Sequence, residues 1–216
     1  LTGVAGPRRT VSSRSAQGVK APRTAAPRAA DRWLPDSGLL HDARQAGSPN
    51  CDDRPSAIAV DALIVHYISL PPGRFVGDAV ERLFTNRLDP ADHTSFAAIA
   101  GLRVSAHLFV RRRGEVIQFV DCDRRAWHAG ASRLREREHC NDFSIGVELE
   151  GDGGHRFTDA QYRRLAAIVH RLCTRYPLRW VAGHSDVAPG RKEDPGPFFD
   201  WQRFLASIAA TGITRP

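Results

Sequence analysis

Two histidines, His66 and His184, each stand at the end of a short apolar run, and Asp194 follows the second by ten residues, within Gly183-His-Ser-Asp-Val-Ala-Pro-Gly-Arg-Lys-Glu-Asp-Pro-Gly196. Two imidazoles and one carboxylate suit a catalytic zinc ion, because three protein ligands leave a fourth position open to water. With nine histidines in 216 residues, spacing alone leaves surface and core roles open for each of them. A water activated in this way needs a proton acceptor. Glu148 stands inside an otherwise apolar run, where burial would raise its pKa toward that of a working base. Glu150 shares its face, so the two carboxylates could equally hold a cation or face water. Lys192, two residues before Asp194, would bring an ammonium to the same centre, suited to an oxyanion; otherwise it is a solvated loop lysine. His107 and His128 are rival ligands, the first reading as a core or supporting histidine and the second as a residue lining the cleft.

Side chains this far apart in sequence need a rigid scaffold to meet. Ala59 to Val65 is a short apolar, β-branched run that predicts a buried strand ending at His66. Ser69-Leu-Pro-Pro-Gly73 predicts a loop, and a short helix is expected from about Asp78 to Phe84. From Arg103 to Val110 alternation puts Val104, Ala106, Leu108 and Val110 on one face, with a turn over Arg111 to Gly114 and a return strand over Glu115 to Val120. Phe143 to Leu149 alternates again, with Phe143, Ile145, Val147 and Leu149 opposite Ser144, Gly146, Glu148 and Glu150. Thr158 to Tyr176 carries a helical stripe, opened by Thr158 and Gln161 as a capping box and stopped by Pro177. Arg179 to Gly183 predicts a strand that delivers His184 into a loop. Strands mixed with helices imply an α/β fold, a single domain with a central mixed β-sheet flanked by helices.

The net charge of +7 is concentrated at one end. Residues 1–30 hold Arg8, Arg9, Arg14, Lys20, Arg23 and Arg28 and no acid, so the body, residues 31–216, is nearly neutral. The arm is poor in large apolar residues and is expected to be disordered. A nucleic-acid partner would concern that arm alone, and none is expected. Arg8-Arg9 is followed by no apolar region of the length an export signal needs, and no stretch is long and apolar enough to span a bilayer, so a cytoplasmic protein without a membrane partner is expected. The four cysteines form no C-x-x-C pair and read as reduced thiols, with Cys122 or Cys140 a potential redox liability.

Five strings in order carry a resemblance: Val65-His-Tyr-Ile-Ser-Leu-Pro-Pro-Gly73, Leu102-Arg-Val-Ser-Ala-His107, Arg125-Ala-Trp-His-Ala-Gly130, Cys140-Asn-Asp-Phe-Ser-Ile-Gly-Val-Glu-Leu-Glu-Gly151, and Gly183-His184 through Arg191-Lys-Glu-Asp-Pro-Gly-Pro197. Together they closely resemble the AmpD family, the 1,6-anhydro-N-acetylmuramyl-L-alanine amidases of peptidoglycan recycling, over about Leu39 to Phe204. The resemblance implies a fold similar to peptidoglycan recognition proteins and phage amidase-type lysozymes. It places Zn²⁺ on His66, His184 and Asp194, a general base on Glu148, an oxyanion-stabilising lysine on Lys192, and substrate contacts on Arg103 and Arg191, whose guanidinium forks suit muropeptide carboxylates. The implied reaction is hydrolysis of the amide between the lactyl group of anhydro-N-acetylmuramic acid and L-alanine, by a monomer acting on an anhydromuropeptide. Two departures stand out. Tyr67 occupies a position that is usually Asn, and His139 one that is often Arg, and both are expected along the substrate groove. The competing expectations are a recognition module that binds peptidoglycan without cleaving it, and an exported amidase acting on intact wall.

Overall fold

A computed structural model describes residues 1–3, 6 and 33–216; the basic arm and the Arg8-Arg9 pair lie outside the described residues. Ten strands are present among the described residues: β1 (Arg44–Gln45), β2 (Cys51–Asp52), β3 (Ala62–Ile68), β4 (Leu108–Val110), β5 (Val116–Gln118), β6 (Arg125–Ala126), β7 (Arg133–Leu134), β8 (Arg137–Glu138), β9 (Ser144–Glu150) and β10 (Trp180–Gly183). Four α-helices accompany them: α1 (Ala79–Phe84), α2 (Asp159–Leu172), α3 (His184–Val187) and α4 (Trp201–Ser207). Six strands form the main sheet in the order β1-β5-β4-β9-β3-β10, while β2 pairs with β6 and β7 with β8. The neighbours β4, β9, β3 and β10 run parallel and β5 runs antiparallel to β4, so the sheet is mixed.

Alternation along the central strands decides the layers. Leu63 and Val65 of β3, Ile145, Val147 and Leu149 of β9 and Val181 of β10 pack beneath the stripe of α2 and beneath Phe204 of α4. The opposite face holds Ala62, Ile64 and Ala182 with Phe143 and Val187, while α1 closes a third cluster with Phe109, Ile117 and Phe119. The α2 capping box forms as expected: Gln161 donates its backbone N–H to Thr158 Oγ1 at 3.2 Å, and the Thr158 N–H donates to Gln161 Oε1 at 3.0 Å. Gln161 also donates from Nε2 to the Val110 and Glu150 carbonyls, which ties the helix start to the sheet.

Four boundaries differ from the sequence pattern. The strand carrying His66 begins later and runs on through Ile68, because its ladder with β9 extends to Ile68 opposite Glu150, so His66 is inside the strand. The hairpin's first strand begins at Leu108, since Val104 and Ala106 pack with the α1 cluster while Leu108 and Val110 pack under α2. The phase of the alternation breaks at His107, whose N–H donates to the Gly146 carbonyl at 3.1 Å. Helix α2 stops at Leu172, and the next residues close as turns from Thr174 to Arg171 and from Arg175 to Leu172 ahead of Pro177. His184 opens the one-turn helix α3 instead of a loop.

Candidate metal centre and active site

Sheet register brings the chemistry together. Three parallel strands lie side by side, with Val65 of β3 opposite Gly183 of β10 and His66 of β3 opposite Glu148 of β9. The residue after Gly183 is therefore level with His66, and His184, His66 and Glu148 form a row across the carboxyl ends of the strands, where open α/β sheets present their sites. The segment after α3 returns over this row because the Ser185 N–H donates to the Asp194 carbonyl at 2.8 Å. Gly183 permits that approach, as a Cβ there would sit 2.6 Å from Pro195 Cδ.

His66 and His184 are buried, and Asp194 is nearly so. His66 Nδ1 lies 3.0 Å from His184 Nδ1 and 3.0 Å from Asp194 Oδ2, and His184 Nδ1 lies 3.2 Å from the same oxygen. Donors about 2.0–2.2 Å from a tetrahedral zinc are about 3.3–3.5 Å apart, so this triangle fits that ion with slight expansion. His66 and Asp194 are also in the protonation states a metal ligand needs. Burial lowers the His66 pKa to about 4, leaving the ring neutral. Burial acts to raise the Asp194 carboxyl, but His184 and His66 more than offset it, so Asp194 is ionised. His184 Nε2 donates to the Ala129 carbonyl at 3.1 Å, which leaves its Nδ1 lone pair turned to Asp194 and His66. Among the described residues these three are the group able to hold a metal ion.

Glu148 is 8% exposed, and its Oε2 is buried with no hydrogen-bond partner among the described residues. Burial, and then the negative charge of Asp194, push its pKa well above the ordinary carboxylate value, with Lys192 acting in the opposite direction. Such a carboxylate is ready to take a proton. Lys192 itself is exposed, its N–H bonded to the Ala188 carbonyl. Glu150, on the same face, is committed elsewhere: Arg111 Nη2 and the Arg112 N–H each donate to it at 2.9 Å, so it does not share a cation with Glu148.

The remaining sequence candidates fall in different places. Arg191 Nη2 donates to the carbonyls of Ala129 and Ala131 at 2.7 and 2.6 Å, and with His139 it lines a cavity of about 430 Å³ beside α3. Arg103 is exposed. Strand alternation puts Tyr67 on the face of Leu63 and Val65, where it packs against the main core, with Gly153 and Gly196 next to its ring. His128 does not line the cleft. It is buried behind His66, with its Nδ1 3.0 Å from His66 Nε2. His107 is a core residue whose Nδ1 accepts the Gly146 N–H at 2.9 Å and whose Nε2 donates to the Arg124 carbonyl at 3.0 Å. Burial, and then the charge of Arg54, hold its pKa well below the usual value. Cys122 and Cys140 are fully buried, and burial raises both thiol pKa values, so neither is a reactive thiolate.

The sequence pattern overlooked Asn141, whose Oδ1 accepts the N–H groups of His128 and Ala129 at 3.2 and 2.8 Å and so fixes the segment behind the rings of His66 and His184. It also overlooked the role of Gly146. A glycine inside a strand is the available signal, since it marks close approach.

Residues 56–197 match the family model of N-acetylmuramoyl-L-alanine amidase. The chain is 53% identical over 178 residues to the 1,6-anhydro-N-acetylmuramyl-L-alanine amidase AmpD of Escherichia coli, covering 82% of this chain and 97% of that protein. A crystal structure of a selenomethionine derivative of AmpD is 52% identical and superposes with a TM-score of 0.78, covering 82% of this chain and 99% of the other. A complex of the Escherichia coli amidase AmiD with the substrate anhydro-N-acetylmuramic acid-L-Ala-D-γ-Glu-L-Lys is 29% identical, with a TM-score of 0.51, covering 74% of this chain and 61% of that one. On the match of the family model and the extent of these relatives, the chain is an enzyme that belongs to the N-acetylmuramoyl-L-alanine amidase family.

Proposed function

We propose that this amidase hydrolyses the bond between the lactyl group of 1,6-anhydro-N-acetylmuramic acid and L-alanine in soluble anhydromuropeptides, with zinc held by His66, His184 and Asp194. The observation that carries the reading is the convergence of two imidazole nitrogens and a carboxylate oxygen within 3.0–3.2 Å, beside a buried carboxylate with an unpartnered oxygen. When bound there, the ion would supply Lewis acidity, polarising the scissile carbonyl and lowering the pKa of water from 15.7 to roughly 7.

The side chains do the rest. Glu148 accepts the proton of the attacking water and returns it to the departing L-alanine amine, a task suited to a carboxylate whose pKa burial has raised. Lys192 places a positive charge toward the oxygen on which negative charge develops. Arg103, and the donors of Arg191 not bonded to the carbonyls of Ala129 and Ala131, receive the carboxylates of the peptide stem. The scheme needs no covalent intermediate. Residues 31–216 form the zinc amidase domain and act as a monomer in the cytoplasm, and residues 1–30 are dispensable for turnover. No helix among the described residues is long and apolar enough to cross a membrane.

The test is direct. Zinc-replete protein is incubated separately with anhydromuropeptide and with polymeric wall, with and without chelator, and the products are identified by mass. Release of the free peptide from the anhydro substrate, abolished by chelator, is expected. Cleavage confined to polymeric wall would reassign the substrate, and binding without cleavage would make the protein a recognition module.

A further inference from the structure

Behind the three converging groups lies a second row of polar side chains that the proposed chemistry does not use. The ring of His128 packs edge-on against His66 at 5.1 Å between centroids, with His107 beyond it at 5.5 Å. His128 Nδ1 is 3.0 Å from His66 Nε2, and its Nε2 is 3.3 Å from Ser144 Oγ. Ser144 Oγ in turn donates to the Cys140 carbonyl.

Counting protons along this line leaves one arrangement. A carbonyl only accepts, so the single Ser144 hydroxyl proton points to Cys140. Ser144 Oγ then accepts from His128, which puts the His128 proton on Nε2. Among the described residues no carboxylate contacts the His128 ring to compensate an imidazolium, so the ring has one proton and its Nδ1 is an acceptor. His66 therefore donates from Nε2, and its Nδ1 is bare on the side facing His184 and Asp194.

A second, independent observation shows that the sheet is built for this placement. The His128 ring lies flat on the backbone of Gly146 in β9, where a Cβ would meet its Cγ, Nδ1 and Cδ2 at 2.4, 2.5 and 2.8 Å. Only glycine leaves room for the ring, and Asn141 pins the backbone of His128 from the other side.

The geometry points to His128, anchored by Ser144, as the positioning residue that fixes His66 in the Nε2–H tautomer and presents its Nδ1 to the metal. This rests on the zinc reading above and deepens it. The two histidine ligands are then set by different devices, His184 by the Ala129 carbonyl and His66 by a relay of two side chains that ends on a carbonyl. A carbonyl holds one tautomer outright. A histidine relay holds one only while its far end is anchored, so the Ser144 hydroxyl acts on the metal through two rings.

The test combines a spectroscopic and a binding readout. Long-range ¹⁵N–¹H spectra of the wild-type protein, with and without zinc, should show His66 and His128 both protonated at Nε2. A proton on His128 Nδ1 in the metal-free protein overturns the relay without any variant. Zinc dissociation constants are then measured by chelator competition. His128→Leu should weaken zinc binding about tenfold to a hundredfold and Ser144→Ala about tenfold, the scale of outer ligand losses. His128→Asn, whose Oδ1 takes the place of Nδ1 as acceptor, should restore affinity to within about threefold of wild type. Wild-type affinity in both His128→Leu and Ser144→Ala, with folding verified by circular dichroism, overturns the proposal. So does an Asn variant as weak as Leu. A wild-type protein that takes up no zinc, with His66 still protonated at Nε2, overturns the zinc reading and the relay's role with it, a result distinct from the other three.

Discussion

Replacing Glu148 with Gln separates what this residue does for the reaction from what it costs the fold. The carboxylate is 8% exposed, stands opposite His66 in the sheet, and has one oxygen with no partner. Burial and the charge of Asp194 raise its pKa, so the folded state holds the proton more tightly than the unfolded chain does. For such a group the stability present below the unfolded pKa, near 4.3, is lost as pH rises through the folded value. Gln has nearly the same shape and no charge to desolvate. Relief of an unpaired buried group is about 1–3 kcal/mol, and each kcal/mol moves the midpoint of a chain this size by about 2–4 °C. Melting curves of metal-free protein across pH 5 to 9 should therefore show Glu148→Gln increasingly more stable than wild type as pH rises, reaching about 2–12 °C. The same variant, loaded with zinc, should hold the ion at wild-type stoichiometry while turnover falls about 10²–10⁴-fold, the usual share of a general base. A variant that melts below wild type at pH 8, or that turns over within tenfold of it, refutes the reasoning.

Three further outcomes are expected. His66→Ala, His184→Ala and Asp194→Ala should each abolish zinc retention, measured by elemental analysis after dialysis, whereas His107→Ala should leave the stoichiometry intact, because His107 bonds the Gly146 N–H and the Arg124 carbonyl and none of the three. Gly146→Ala should cost about 1–3 kcal/mol in chemical denaturation, by driving a Cβ to within 2.4 Å of the His128 ring, and should weaken zinc binding along with it; an unchanged protein would mean the ring has room to shift. Asp42 accepts from Arg164 and Arg171 at 2.6 Å each, and although burial acts to raise its pKa, these two arginines hold it below the ordinary value. Its contribution is present above the unfolded pKa near 3.9 and lost as pH falls through the folded value, so Asp42→Asn should destabilise by about 1–3 kcal/mol at pH 7 and by progressively less below pH 4.

The strand alternation from Phe143 to Leu149 and the Thr158 capping box were readable because each is a local rule: a period of two, and two side chains three residues apart. The types of the site residues were readable for the same reason, since His66, His184, Asp194 and Glu148 stand out chemically within apolar or Gly/Pro-rich surroundings. Register was not readable. That His66 lies opposite Glu148, and Gly183 opposite Val65, is fixed by pairing between segments about eighty and one hundred and twenty residues apart, which no local pattern encodes. One misreading shares that origin. His128 read as a cleft residue because nothing local announces a ring stacked on a distant glycine.

The face of the sheet that carries the site shows how the fold bears so many buried polar groups. His107, Ser144, His128, His66 and Glu150 are all under a tenth exposed, and each has a hydrogen-bond partner. Satisfied polar groups of this kind cost the fold little and hold one another in place. Glu148 breaks the rule with its unpartnered Oε2, and Nδ1 of His66 faces two other acceptor atoms. Both of these atoms are confined to the spot where a cation and a water would complete the pairing. That confinement makes the sign of the Glu148→Gln effect informative: a purely structural carboxylate on this face would be bonded as Glu150 is, and its loss would destabilise the protein instead.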